Sequence, residues 1–124
     1  MSTKDWSYLI QFDKDYKQQD VNALLQQWSS VKEQIHRGFE QKSIEVQSHM
    51  LQAISLYNNL LVEVSDTEIF DANDMKLYEV LPLNGEERYE FVVTHPSHFA
   101  AYRQLSELFE ETTKKIARLR IMYR

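Results

Sequence analysis

The side chains best suited to acid–base or metal chemistry are four histidines and a scatter of carboxylates. Glu33 and His36 have the Glu-x-x-His spacing with which di-iron carboxylate bundles hold their metals. That chemistry needs a second such pair and two further glutamates. No second Glu-x-x-His is present, and Glu45 and His49 stand four apart instead. Both pairs read as solvated helix faces. His95 and His98 flank Pro96-Ser97, and two imidazoles at a helix start would make half a zinc site if other ligands joined them. Hydrogen bonds to local backbone are the plainer use. Asp66, Glu68, Asp71 and Asp74 suggest calcium, but an EF-hand loop needs Gly at its sixth position and Glu at its twelfth. Counted from Asp66, those positions hold Asp71 and Leu77. No metal is assigned.

Arg88 and His95 are separated by six residues. This spacing resembles the arginine–histidine pair of HEPN-type ribonucleases, small helical enzymes whose pair acts around a scissile phosphate. The plainer expectation is a surface arginine paired with Glu87 or Glu90. Other chemistries are excluded by composition. There is no cysteine, which removes disulfides, thiolate metal sites and a cysteine nucleophile. Gly38 and Gly85 stand alone, so phosphate-cradling glycine loops are absent. No nucleophile elbow surrounds any serine. No catalytic residue and no cofactor is assigned.

Net charge is −5, unevenly spread. Lys114, Lys115, Arg118, Arg120 and Arg124 place +5 in the last eleven residues with no acid among them, which leaves −10 on the rest. Lys114, Lys115 and Arg118 share neighbouring parts of one helical surface. Such a patch would contact nucleic-acid phosphates, yet cations near a helix C-terminus also complement the helix dipole, and the acidic body opposes a polyanion.

These residues must be positioned by helices. Two glycines and two prolines are too few for a strand-and-turn architecture. A first short helix is expected over about Lys4–Tyr16, with Trp6, Leu9, Ile10 and Asp13 at helical spacing. Asp20 is the expected N-cap of a helix over about 20–37, in which Val21, Leu24, Trp28, Val31 and Ile35 form an apolar stripe that stops near Gly38. A second stripe over about 42–64 runs through Met50, Ile54, Tyr57, Leu61 and Val64, with Ile44 and Leu51 widening it. Residues 65–83 read as an irregular acidic connection that turns extended from Leu77. Asn84 and Glu87 resemble a capping box that opens a short helix to about Val93. Pro96 suits the first turn of a last helix, over about 97–123, where Tyr102, Leu105, Phe109, Thr112, Ile116, Leu119 and Tyr123 face inward. The expected fold is one all-α domain, a bundle of about four to five helices.

The run Leu81-Pro82-Leu83-Asn84-Gly85-Glu86-Glu87-Arg88-Tyr89-Glu90-Phe91 is followed by His95-Pro96-Ser97-His98-Phe99 and by Gln104-Leu105-Ser106-Glu107-Leu108-Phe109. In order and spacing these segments resemble the YpoC-like family of Firmicutes, over roughly the last 40 residues. The resemblance implies a small helical bacterial protein and no known catalytic residue.

The reading that follows is a non-catalytic helical module that binds another protein, with Asn84, Glu87, Arg88, His95 and His98 as its functional surface. Its alternatives are a HEPN-like ribonuclease using Arg88 and His95, and a nucleic-acid-associated factor using Lys114, Lys115 and Arg118. No run of apolar residues is long enough to span a membrane. The first residues lack a signal-peptide core, so a cytoplasmic location is expected. The expected partner is a different protein or, in a homodimer, a second copy of the chain.

Overall fold

The computed structural model describes residues 9–123. Among them are four α-helices: α1 (Gln18–Glu40), α2 (Val46–Glu63), α3 (Gly85–Thr94) and α4 (Phe99–Met122), with a 3₁₀ helix at Ala72–Leu77. The protein is all-α, as its apolar periodicity predicts.

Helices α1 and α2 form an antiparallel hairpin. At one end Gly38 abuts Val46, and at the other Asp20 lies close enough to Glu63 to help hold its carboxyl above the usual range, an effect led by burial. Helices α3 and α4 form a second hairpin, and α4 packs on both helices of the first. The core lies where they meet. Trp28 of α1 stacks on Phe109 of α4 at 4.1 Å between ring centroids, and Tyr57 of α2 meets Phe109 edge-on at 5.2 Å. The Tyr57 hydroxyl and Thr112 Oγ1 lie 2.8 Å apart inside this core, so a buried phenol and a buried threonine satisfy one another. The three expected stripes are the core-facing ones. Val21, Trp28, Val31 and Ile35, then Met50, Ile54, Tyr57, Leu61 and Val64, then Tyr102, Leu105, Phe109, Thr112, Ile116 and Leu119 are all buried, whereas Leu24 is only half-buried and Tyr123, expected to face inward, is 42% exposed.

Several expectations are corrected. Residues 1–8, including Trp6, lie outside the described residues, but Ile10–Asp13 is extended, not helical. Ile10 N donates to Leu77 O at 2.8 Å and its carbonyl accepts from Glu79 N at 3.0 Å. Gln11 O accepts from Asp66 N, and Asp13 N donates to Val64 O, both at 2.8 Å. Backbone partners more than fifty residues away outweigh local helical spacing here. Helix α1 starts at Gln18 after Lys17, so Asp20 lies in the first turn, where a negative charge suits the helix dipole, and does not cap. Gly38 does not end α1, which continues to Glu40. The chain turns at Lys42, which adopts φ 52°. Helix α2 accordingly begins at Val46, and Ile44 and Leu51 stay exposed instead of widening its buried stripe. The acidic connection contains the 3₁₀ helix, which Asp71 caps by accepting from Asn73 N at 2.9 Å.

Candidate functional site

An open groove of about 1090 Å³ lies between α4 and the segment that leads into α3. One wall is the C-terminal half of α4, which presents Lys114, Lys115 and Arg118. The opposite wall is the segment from Lys76 through Glu79 and Leu81 to the start of α3, where Asn84 and Glu87 stand. The extended N-terminal segment closes one end with Leu9 and Gln11.

Local sequence explains the second wall. Gly85 N donates to Pro82 O at 2.9 Å, which closes a tight turn over Pro82–Gly85. Asn84 is its third residue, at φ 56°, a left-handed conformation that Asn tolerates better than most side chains. The expected capping box is therefore absent. Asn84 makes no side-chain cap bond, because its backbone is turned out of the extended geometry that a capping side chain needs. Gly85 is required for a different reason: a Cβ there would run into the side chain of Leu81.

Arg88 stands behind this wall. It is not paired with Glu87 or Glu90, as expected from the sequence, but with Glu111 of α4. Nη1 donates to Oε1 at 3.0 Å and Nη2 to Oε2 at 2.6 Å, a bidentate geometry. Nη1 also donates to Leu83 O at 3.1 Å. The Gln104 amide, with its oxygen toward the guanidinium, accepts from Nε at 2.7 Å and from Nη2 at 3.1 Å. The Arg88 side chain is only 18% exposed. These hydrogen bonds hold the Glu111 carboxyl below its usual range and Arg88 above its own. Arg88 thus bolts α3 to α4 and fixes the turn at Leu83.

Lys115 reaches across the groove. Its Nζ donates to Leu81 O at 2.8 Å. Burial, then the nearby Arg118, hold its ammonium below the usual lysine range. Arg118 is exposed and makes no ion pair among the described residues. Lys114 meets Glu110 at 3.0 Å in an exposed pair on its own helix, an interaction worth well under ~1 kcal/mol.

The groove thus brings together Asn84, Glu87, Lys114, Lys115 and Arg118. His95 and His98 lie elsewhere, at the far end of α3, about 15 Å from Asn84 along the helix. His95 Nδ1 lies 2.9 Å from Thr94 Oγ1 and 3.2 Å from Phe91 O, and the ring stacks on Phe91. His98 is the residue before α4 and makes no side-chain cap bond, so Pro96 precedes that helix instead of occupying its first turn. The two imidazoles lie 5.2 Å apart between centroids, and among the described residues no cluster of three or more potential ligands includes them. Arg88 and His95 are two helical turns apart, about 10 Å along the axis. Glu33 pairs with Arg37 and His36 with Glu40, all exposed. Several groove residues were not singled out from sequence, Lys76, Glu79 and Glu111 among them. For Glu111 a signal existed. It precedes Lys115 by four and Arg118 by seven, the spacing of one helix face.

The fold and site together define a small all-α protein of two packed hairpins with an open charged groove. The YpoC-like protein family model matches residues 18–124, and the chain belongs to this family. The match extends well before the C-terminal segments that carry the resemblance, to the start of α1. None of the curated proteins or solved structures compared with the chain matches it. No helix among the described residues is long and apolar enough to cross a membrane.

Proposed function

We propose that this is a non-catalytic helical module of the bacterial cytoplasm, of the kind found in Firmicutes, which binds another protein through the groove between α4 and the Lys76–Glu87 segment. The observation that carries the reading is the makeup of this groove. It joins five of the residues singled out from the sequence, and its walls are a turn of backbone and long charged side chains. The Arg88 guanidinium, which a ribonuclease would aim at phosphate, is engaged by Glu111, Leu83 O and Gln104. Leu83 stands 82% exposed on the groove rim, an apolar contact beside charge. Apolar anchors with polar surrounds are the usual anatomy of a protein interface.

The test is capture of the tagged protein's partner from its host, repeated with Leu83→Ser. The expected result is one protein recovered in stoichiometric yield with the wild type and lost with the variant, while circular dichroism of the two is the same. Cleavage of single-stranded RNA that His95→Ala abolishes would replace this reading with the ribonuclease one. Duplex DNA binding near physiological salt that falls steeply as salt rises would replace it with the nucleic-acid one.

A further inference from the structure

We infer that the segment the groove receives is acidic, with carboxylates set against the α4 wall beside an apolar side chain that meets Leu83. The inference rests on the protein-binding reading and adds the chemistry of the partner. Its basis is which groove charges already have partners. Of the acids, Glu111 is held by Arg88. Glu79 accepts from Phe12 N through one oxygen and from the Tyr123 hydroxyl through the other. The cations are less well served. Arg118 and Lys76 are exposed and have no carboxylate within ion-pair distance among the described residues. Lys115 has only a neutral carbonyl, that of Leu81, as its acceptor. Lys115 and Arg118 also repel one another, which contributes to the depressed ammonium. Glu79 offsets part of that repulsion from the opposite wall, and a carboxylate placed between Lys115 and Arg118 removes the rest.

Three acids oppose this: Glu79, whose donors are neutral and leave its charge in place, and two at the start of α3. Glu86, half-buried, and Glu87 line the α3 end of the groove, and neither makes a salt bridge among the described residues. Glu87 is exposed, so solvent and salt screen it over a Debye length of about 8 Å. The ammonium of Lys115 is partly withdrawn from water, where a charge acts more strongly. An acidic occupant is therefore favoured along α4 and disfavoured at the α3 entrance. The same argument separates a short acidic peptide from a nucleic acid. A duplex carries a charge about every 1.7 Å and would run on past the groove over a body bearing −10. A short peptide ends within the basic wall. In a protein of net −5, such a wall also steers an acidic segment to this one place.

The experiment is selection of displayed random peptides on the full-length protein, followed by fluorescence anisotropy with the winning peptides. The variants are Arg118→Glu, Lys76→Glu, Arg118→Lys and, away from the groove, Lys32→Glu. All are first checked for wild-type circular dichroism. Lys115 is left unaltered because its bond to Leu81 O ties α4 to the groove wall. The expected winners are rich in Asp and Glu around an apolar residue. Their affinity should fall about tenfold or more in each groove charge reversal, and stay within about twofold in Arg118→Lys and Lys32→Glu. Winners that are neutral or basic, or acidic winners indifferent to Arg118→Glu and Lys76→Glu, overturn the acidic occupant and leave a protein-binding module standing. Failure to select any peptide also overturns the inference. If it comes with binding of an RNA or duplex DNA oligonucleotide that Arg118→Glu abolishes, the protein-binding reading falls as well.

Discussion

Arg88 shows how a residue read as surface chemistry becomes structure once its neighbours are known. Its charge-assisted hydrogen bonds to Glu111 span two helices, and such bonds contribute about 1.5–3 kcal/mol each when shielded. The Glu111 side chain is 44% exposed, so solvent screening reduces the figure. Arg88→Ala is expected to cost about 1–2 kcal/mol at pH 7 in urea unfolding, where a surface arginine would cost about 0.5 kcal/mol or less. The pH dependence has a definite sign. The Glu111 carboxyl lies below its usual range in the folded state because Arg88 hydrogen-bonds it. Its stabilising contribution is therefore fully present above the unfolded value, near ~4.3, and is lost as pH falls through the folded one. The deficit of Arg88→Ala should be constant from about pH 7 to pH 5 and shrink below about pH 4. A variant as stable as wild type at pH 7 would return Arg88 to the surface.

At the scale of elements, the Gly38–Val46 contact decides how closely α1 and α2 approach. A Cβ on Gly38 would lie 2.7 Å from Val46 Cγ2. Alanine inside a helix gains up to about 1 kcal/mol over glycine, but overpacking a stiff β-branched neighbour costs about 1–3 kcal/mol. Gly38→Ala should therefore destabilise by about 1 kcal/mol net. Val46→Ala is expected to be less costly in the Gly38→Ala background than in the wild type, a coupling that a double-mutant cycle of thermal unfolding reads directly. If Gly38→Ala instead stabilises, the helices have room to spare. This glycine also marks where sequence reading succeeds and where it stops. The stripes of α1, α2 and α4 were legible because helical burial repeats every three or four residues along the chain itself. A helix glycine looks the same whether it ends a helix or admits a neighbour. The N-terminal segment was misread for the same reason, since Phe12 is fixed by Glu79 and by Ser65, both far along the chain. In the groove, Asn84 and Glu87 were legible as a helix start but not as a wall. Arg88 was legible as notable, but its partner Glu111 lies 23 residues on.

At the scale of the whole molecule, Glu79 joins three parts of the chain. One carboxylate oxygen accepts from Phe12 N at 2.8 Å, and the other from the Tyr123 hydroxyl at the end of α4. Phe12 also stacks on Tyr123, with centroids 6.0 Å apart. The two ends of the described chain thus meet at one residue of the connection between the hairpins, and that meeting closes an end of the groove. Phe12 is buried against the same core, but the Trp28–Phe109–Tyr57 cluster at its centre is built by residues of α1, α2 and α4. Glu79→Ala should therefore open the molecule locally instead of melting it. A hydrogen bond from a backbone amide to a carboxylate is worth about 1.5 kcal/mol or more, which corresponds to roughly tenfold faster amide exchange if opening is local. The expected pattern by hydrogen–deuterium exchange is faster exchange at Ile10, Phe12 and Asp13, and at Asp66, whose amide donates to Gln11 O. Amides within α2 around Tyr57 should keep their wild-type rates. Unchanged exchange at Phe12 would mean that the bridges of Ile10 and Phe12 hold the segment without Glu79. A uniform rise across α1, α2 and α4 would mean that the N-terminal segment and the core unfold as one unit, so that the groove could not be altered at this end without loss of the fold.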